Sequence, residues 1–373
     1  MRGQWIGNYT GTSPGTIIVN TDERPADFEG VAYLLESNPA VPSVWASFVT
    51  KNKDRTFSFR TRGIFPIDPL TRLPVPDWDT VKKYYGADAV ISKYADVEGS
   101  WDEALLTLRW NTDTGVTGTC ELPRSKADQP SELIALAKEW DQYKEYVATL
   151  EARRYLFRGQ NKPRRLRTAF HRAGRADLIR FLNEDIPVLH KRLSARTKHI
   201  FNLQIPDESG AFFSLVQHHG YPTPLLDWTY SPYVAAFFAY RSISNARAAA
   251  AAPDSKVRVL VFDQAQWKVD WVQLLHLLPA VPHLSIGEFL VIENERMIPQ
   301  QAASTVTNID DIELYVRRKE SESGKTYLTA IDLPVRSRKQ VIRELGSMGI
   351  TAGSLFPGLD GDCEELRERN FEI

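Results

Sequence analysis

Two short stretches hold residues suited to chemistry on a ligand. The first is Tyr155-Leu156-Phe157-Arg158-Gly159-Gln160, a strand-like run that ends in a single arginine. The second runs from Gln217 to Pro232 and carries His218, His219, Asp227, Thr229 and Ser231 just before the apolar run Tyr233 to Ala239. A guanidinium leaving a strand end clamps a phosphate or carboxylate with two donors, and Gly159 lets another group approach the backbone closely. The alternative for Arg158 is an internal ion pair, for instance with Asp227. Ser231-Pro232 reads as a helix start, because serine is a good cap and proline suits the first helical position. The free N–H groups at such an end favour an anion, so a phosphate fits beside Asp227 and Thr229. The competing reading is that Ser231 only caps its helix while Asp227 is buried and accepts backbone hydrogen bonds.

His218 and His219 are neighbours, so their rings point different ways on a strand or a helix. One suits a general base or a partner for a ribose hydroxyl, and the other an exposed position. No further ligands stand at metal-type spacing, so no metal site is expected. A third group of candidates follows Gly287: Glu288, Glu293 and Glu295, with Arg296. On a continuing strand Glu293 and Glu295 share one face, where a carboxylate stabilises a cationic sugar or acts as base. Solvated surface positions are the commoner fate of such glutamates.

The elements that must position these groups read as follows. Residues 1–125 hold at least six short strands at regular spacing. Among them are Gly3 to Gly11, Gly15 to Val19, Phe28 to Leu35, Val44 to Val49 and Thr56 to Arg60, with a hairpin joining Ala104–Trp110 to Val116–Leu122. That pattern predicts an antiparallel β-barrel or sandwich. The boundary falls near Ser125 to Pro130. Residues 126–373 read as a mixed α/β domain, so the chain as a whole is α+β. Its first helix is expected from a Ser131 cap through Val147, on the spacing of Leu133, Leu136, Trp140, Tyr143 and Val147. Helices follow over 176–193, 231–241 and 338–348, and strands at 257–262, 288–293 and 327–331.

At 373 residues two domains are expected, and the 43% hydrophobic and 25% charged content is that of a soluble globular protein. Cys120 and Cys363 form no framework, which points to a reduced, cytoplasmic setting. No signal peptide and no membrane span is read. The formal net charge is −1, yet residues 151–200 carry 14 Lys and Arg against 4 Asp and Glu, leaving about −11 for the rest. Such a segment either meets the phosphates of a nucleotide or nucleic acid or is a solvated helical face.

Phe157-Arg158-Gly159, the run His219 to Thr229 with Ser231-Pro232, Arg296-Met297-Ile298-Pro299-Gln300-Gln301, and the tail from Met348 to Gly361 together resemble the FRG domain family over roughly residues 130–365. The sequence departs from the family after Gln301, where Ala302 and Ser304 stand at positions usually Gly and Phe. The layout is similar to that of ADP-ribosyltransferases: an Arg-Gly on a first strand, a Ser/Thr motif entering a helix, and a glutamate on a later strand. The resemblance implies an NAD-using ADP-ribosyltransferase or NAD glycohydrolase acting as a bacterial effector or antiviral, anti-phage toxin. In it, Arg158 meets the pyrophosphate and Thr229 or Ser231 the nicotinamide ribose, with Gly159 and Asp227 also in the cofactor-binding set. Arg158, His219 and Glu293 or Glu295 carry the chemistry, and the N-terminal β domain senses a trigger or holds the target. The rival readings are a non-catalytic nucleotide- or RNA-binding module using the basic segment, and a nuclease-like hydrolase built on His219 and Asp227.

Overall fold

The computed structural model describes residues 1–371. Nine strands form the N-terminal sheet: β1 (Gly3–Gly11), β2 (Gly15–Glu23), β3 (Phe28–Glu36), β4 (Val44–Val49), β5 (Thr56–Arg60), β6 (Gly63–Pro66), β7 (Ala95–Trp101), β8 (Leu105–Thr112) and β9 (Thr117–Pro123). Their order is β5-β7-β8-β9-β1-β2-β3-β4-β6, and every neighbouring pair is antiparallel. The expected β8–β9 hairpin is present, with Gly115 at φ 82° supplying the left-handed turn residue. Alternation along β9 buries Gly118, Cys120 and Leu122 and exposes the residues between them. The sheet curls into a half-barrel around Trp5, Phe28, Phe48, Val97, Leu106 and Leu122. It is neither a closed barrel nor a sandwich, because β5 and β6 remain as edges, each paired on one side only.

A second sheet of seven strands carries the rest: β10 (Ala135–Ala137), β11 (Tyr155–Gln160), β12 (Leu225–Thr229), β13 (Lys256–Asp263), β14 (Leu284–Gly287), β15 (Ala302–Thr307) and β16 (Leu328–Pro334), in the order β10-β16-β13-β11-β12-β15-β14. Only β10–β16 is parallel. Both faces are covered, so β13 is apolar on both sides. Val257, Val259 and Val261 face one core with the helix Pro232–Tyr240, while Leu260 and Phe262 face another with Trp228 and Trp267.

Several sequence expectations shift. The first helix begins at Trp140, with Glu139 as cap, because Ala135–Ala137 is recruited as a parallel edge strand on β16. Leu225–Thr229, inside the polar run Gln217 to Pro232 and not among the expected strands, is a strand. The strand expected over 288–293 ends instead at Gly287. Phe289 folds its ring back against Gly287 and Gly210, where a Cβ on either glycine would collide with it. The helix expected over 176–193 forms, capped by Asp177 and widened to a π-turn over Phe181–Asp185.

The two sheets are joined by buried polar contacts. Asp22 on β2 is fully buried and accepts from Arg175, from Ala176 N–H at 2.8 Å and from Asp177 N–H at 3.3 Å. Gln4 on β1 donates to the Asn308 carbonyl at 2.6 Å and accepts from Asp310 N–H at 2.9 Å. Asp177 lies in this junction, and its pKa is raised to about 7. Burial is the main cause; the Asp22 and Glu29 charges add to it, and the Arg180 N–H hydrogen bond opposes it. A folded-state pKa above the unfolded value near 4 means that the fold prefers protonated Asp177. Its contribution is therefore full below about pH 4 and lost as pH rises through 7. Asp177→Asn keeps the acceptor for Arg180 N–H, 3.0 Å away. It is expected to unfold at least about 2 °C above the native chain at pH 8, with the difference vanishing toward pH 4 in a thermal-unfolding series.

Candidate functional site

Between β11 and β12 the sheet comes apart. Their register holds a single pair, Phe157↔Thr229, whereas β11 and β13 hold six. Beyond that pair the Arg158 guanidinium crosses the gap, and its Nη1 donates to the carbonyl oxygen of Asp227 on β12. The neighbour Gly159 serves the opposite face of β11. A Cβ there would overlap the carbonyl oxygen of Ala235 and the N–H of Ala239, so glycine lets the helix Pro232–Tyr240 lie directly on the strand. The close approach expected of Gly159 is thus to a helix rather than to a ligand.

The opening at this split is a cavity of about 390 Å³, within the range of small-molecule sites. Arg158 and Asp227 line it from the two parted strands. The helix Pro206–His218 adds Ser214, Gln217 and His218, three residues at one helical face. Asn294, Arg296 and Gln300 close it from the chain between β14 and β15, and Phe238, Arg241 and Phe356 complete the wall. Four residues of this lining keep a buried side-chain atom without a hydrogen-bond partner among the described residues: Arg158 Nε, Ser214 Oγ, His218 Nε2 and Asn294 Oδ1. Buried polar groups are nearly always paired. All four residues line the same cavity, so a polar ligand held there meets side chains whose hydrogen bonding is incomplete among the described residues.

The electrostatics favour an anion. Three arginines face the cavity against one carboxylate, Asp227. Arg241 is neutralised by two 2.6 Å hydrogen bonds to Glu364 and lies 3.9 Å over the Phe356 ring. Arg296 approaches the same ring at 5.3 Å and has no ion pair among the described residues. Burial pushes the Arg158 pKa down to about 10, with the Asp227 charge resisting, so the guanidinium stays cationic at neutral pH. The Asp227 carboxyl is reached by solvent through the cavity, but the surrounding walls desolvate it and raise its pKa. Arg158, a hydrogen bond from Gln217 and Arg172 pull the other way. Burial lowers His218 to about 4, helped by the Arg296 and His219 charges, so its ring is neutral at physiological pH.

Of the residues singled out in the sequence, Arg158, Gly159, His218, Asp227, Thr229 and Arg296 come together here, and His219, Ser231, Glu288, Glu293 and Glu295 do not. His219 caps the end of its helix and is exposed; the cavity takes its neighbour His218. Glu293 is exposed at a left-handed backbone position, φ 53°, and its Oε1 accepts from His199 N–H at 2.6 Å. Glu295 is exposed as well, and the buried residue between them, Asn294, points in. The strand that would have put both glutamates on one inward face does not exist. Ser231 is buried and caps its helix by accepting from Val234 N–H at 3.2 Å, outside the cavity lining, so the expected phosphate seat at that helix end is not part of this site. Thr229 Oγ1 donates to the Gln300 carbonyl at 2.7 Å and accepts from Ser231 N–H at 3.0 Å, which ties β12 to the far wall. Ser214 and Asn294 are the additions, and the i, i+4 spacing of Ser214 to His218 is the signal that could have found the first. Among the described residues no group of three His, Cys, Asp or Glu is placed to hold a metal ion.

Residues 153–248 match the FRG domain family. The match takes in β11, β12 and the helices that supply Ser214, His218 and Ala235, while Asn294, Arg296 and Phe356 on the facing wall lie beyond it. No curated protein and no solved structure matches the chain.

The Gly159 contact has a direct consequence for the site. Gly159→Ala forces the helix Pro232–Tyr240 off β11 and is expected to cost about 1–3 kcal/mol, the range for overpacking a tight contact. A lowered urea midpoint at unchanged slope is the readout, and wild-type stability of the variant would contradict the packing.

Proposed function

We propose that the cavity binds an NAD-type dinucleotide and that the protein breaks its nicotinamide–ribose bond, releasing ADP-ribose to water or to an acceptor. The observation that carries this reading is the gathering on one cavity lining of three arginines, one carboxylate and three further polar side chains, Ser214, His218 and Asn294, that each keep a buried atom unpartnered among the described residues. Arg158 and Arg296 suit a pyrophosphate as paired guanidiniums. Ser214, His218 and Asn294 offer the donors and acceptors that ribose hydroxyls and a carboxamide need. The Phe238 and Phe356 rings, edge to face with centroids 5.8 Å apart, give an apolar flank for a base.

Asp227 takes the role first assigned to Glu293 or Glu295, since among the described residues it is the only carboxylate on the lining. In the cleavage the C1′–N bond breaks with its electron pair passing to the cationic pyridinium nitrogen, which leaves neutral nicotinamide and a cationic ribose carbon. A carboxylate fixed in a desolvated site stabilises that cation as it forms. Water or an acceptor then adds at C1′, and its proton leaves to Asp227 or solvent. An effector or antiviral toxin role, with the half-barrel sensing a trigger or holding the target, extends this reading by family-level analogy.

The test measures nicotinamide release from NAD beside thermal stabilisation by ADP-ribose. Asp227→Asn is expected to lower release about 100-fold or more while stabilisation by ADP-ribose persists. Arg158→Ala is expected to abolish both, and Glu293→Gln and Glu295→Gln to leave both unchanged. Stabilisation without release by the native chain would favour a non-catalytic nucleotide-binding module. Neither response would end the NAD reading.

A further inference from the structure

A second concavity, of about 840 Å³, lies beside the first and is lined by seven cations against one acid, Asp128: the paired Arg165 and Arg167, and five others, Lys162, Arg164, Arg172, Arg247 and Lys256. None of the five is in an ion pair among the described residues, and all but the half-buried Lys256 are exposed. Other cations of the basic segment are tied up internally. Arg165 is buried against Asp311 at 2.9 Å and Glu132 at 2.8 Å, Arg167 pairs with Asp310, and Arg154, Arg175 and Arg180 pair with Asp263, Asp22 and Glu184. Lys191, Arg192, Arg196 and Lys198, on and after the helix Ile186–Leu193, are exposed without an ion pair among the described residues as well, but the groove cations form a separate group. They come from the loop after β11, the short helix Ala169–Arg172, the helix Asn245–Ala249 and the start of β13. A solvated charge run on one helix would not assemble them from four places.

Free cations concentrated in one groove, on a chain whose net charge is close to zero, make a focused positive field. The lining holds no aromatic side chain, so it offers no platform for stacking bases and no means of reading them. It does offer what a chain of phosphates needs, several guanidinium and ammonium groups at successive positions. Arg172 connects the groove to the cavity, since its charge is felt by the Asp227 carboxyl.

We infer that this groove binds a nucleic-acid strand through its phosphate backbone, without regard to base sequence. The inference does not rest on the NAD reading of the cavity, and its assay contains no NAD. The experiment follows fluorescence anisotropy of labelled single-stranded RNA and DNA, about 20 nucleotides long, with the full-length chain over a salt series. If the five cations each neutralise one phosphate, log affinity falls against log salt with a slope of about −3.5, and removing three of them lowers the slope to about −1.4. The variant Lys162→Ala, Arg164→Ala, Arg247→Ala is expected to weaken binding at least tenfold near 0.1 M salt while keeping the native melting temperature. None of these residues lines the cavity, so stabilisation by ADP-ribose persists. Absence of binding, a variant that retains the native affinity and slope, or equal displacement by inorganic polyphosphate or by vesicles rich in phosphatidylserine would each overturn the proposal.

Discussion

The arrangement depends on one cation placed between two strands. β11 and β12 pair at a single residue, and the hydrogen bond from the Arg158 guanidinium to the Asp227 carbonyl bridges them where the backbone does not. Taking a guanidinium out of water is costly unless charge or hydrogen bonds compensate it. Here the compensation is partial. The Asp227 charge raises what burial lowers, and Nε has no hydrogen-bond partner among the described residues. An anion in the cavity would supply the missing interaction. The split sheet therefore creates the opening, and the arginine that spans it also sets the charge the opening prefers.

The surrounding residues keep the two strands apart without letting the sheet fall open. Gly159 seats the helix Pro232–Tyr240 on the back of β11, and Ser231 fixes where that helix begins. Thr229 anchors β12 to Gln300, whose side chain in turn donates to the Leu355 carbonyl at 2.9 Å. These residues act on the site through geometry. Removing the Thr229 hydroxyl, for example, would leave a buried carbonyl and a buried N–H short of a partner. The polar run that looks in sequence like a ligand-facing loop is in fact a strand and a helix cap, whose side chains mostly hold the frame, with Asp227 exposed to the cavity from its midst.

What the sequence made legible follows physical lines. The strands of the half-barrel are visible because alternation, turn glycines and regular spacing agree at every level, and β11 and β13 stand out as compact apolar runs. The helix Pro206–His218 is not visible, because seven consecutive residues of it, Gly210 to Val216, are buried, so no amphipathic stripe marks it. Phe289 to Ile292 imitates a strand, yet Phe289 is drawn back over two glycines while Leu290 and Val291 stay exposed. In the site, Arg158 and Asp227 could be picked out from residue type and context. His218 could not be told from His219, since only the helix end decides which ring turns inward. Asn294 had no signal at all: its inward position follows from the left-handed backbone at Glu293, which also turns the neighbouring glutamates away.

The most direct measurement of this account is a crystal structure of the chain soaked with ADP-ribose. The account predicts the ligand in the split between β11 and β12, its pyrophosphate oxygens within hydrogen-bond distance of Arg158 and Arg296, and polar groups within reach of Asn294 and His218. ADP-ribose bound at another surface, or a cavity closed by continuous pairing of β11 with β12, would contradict it.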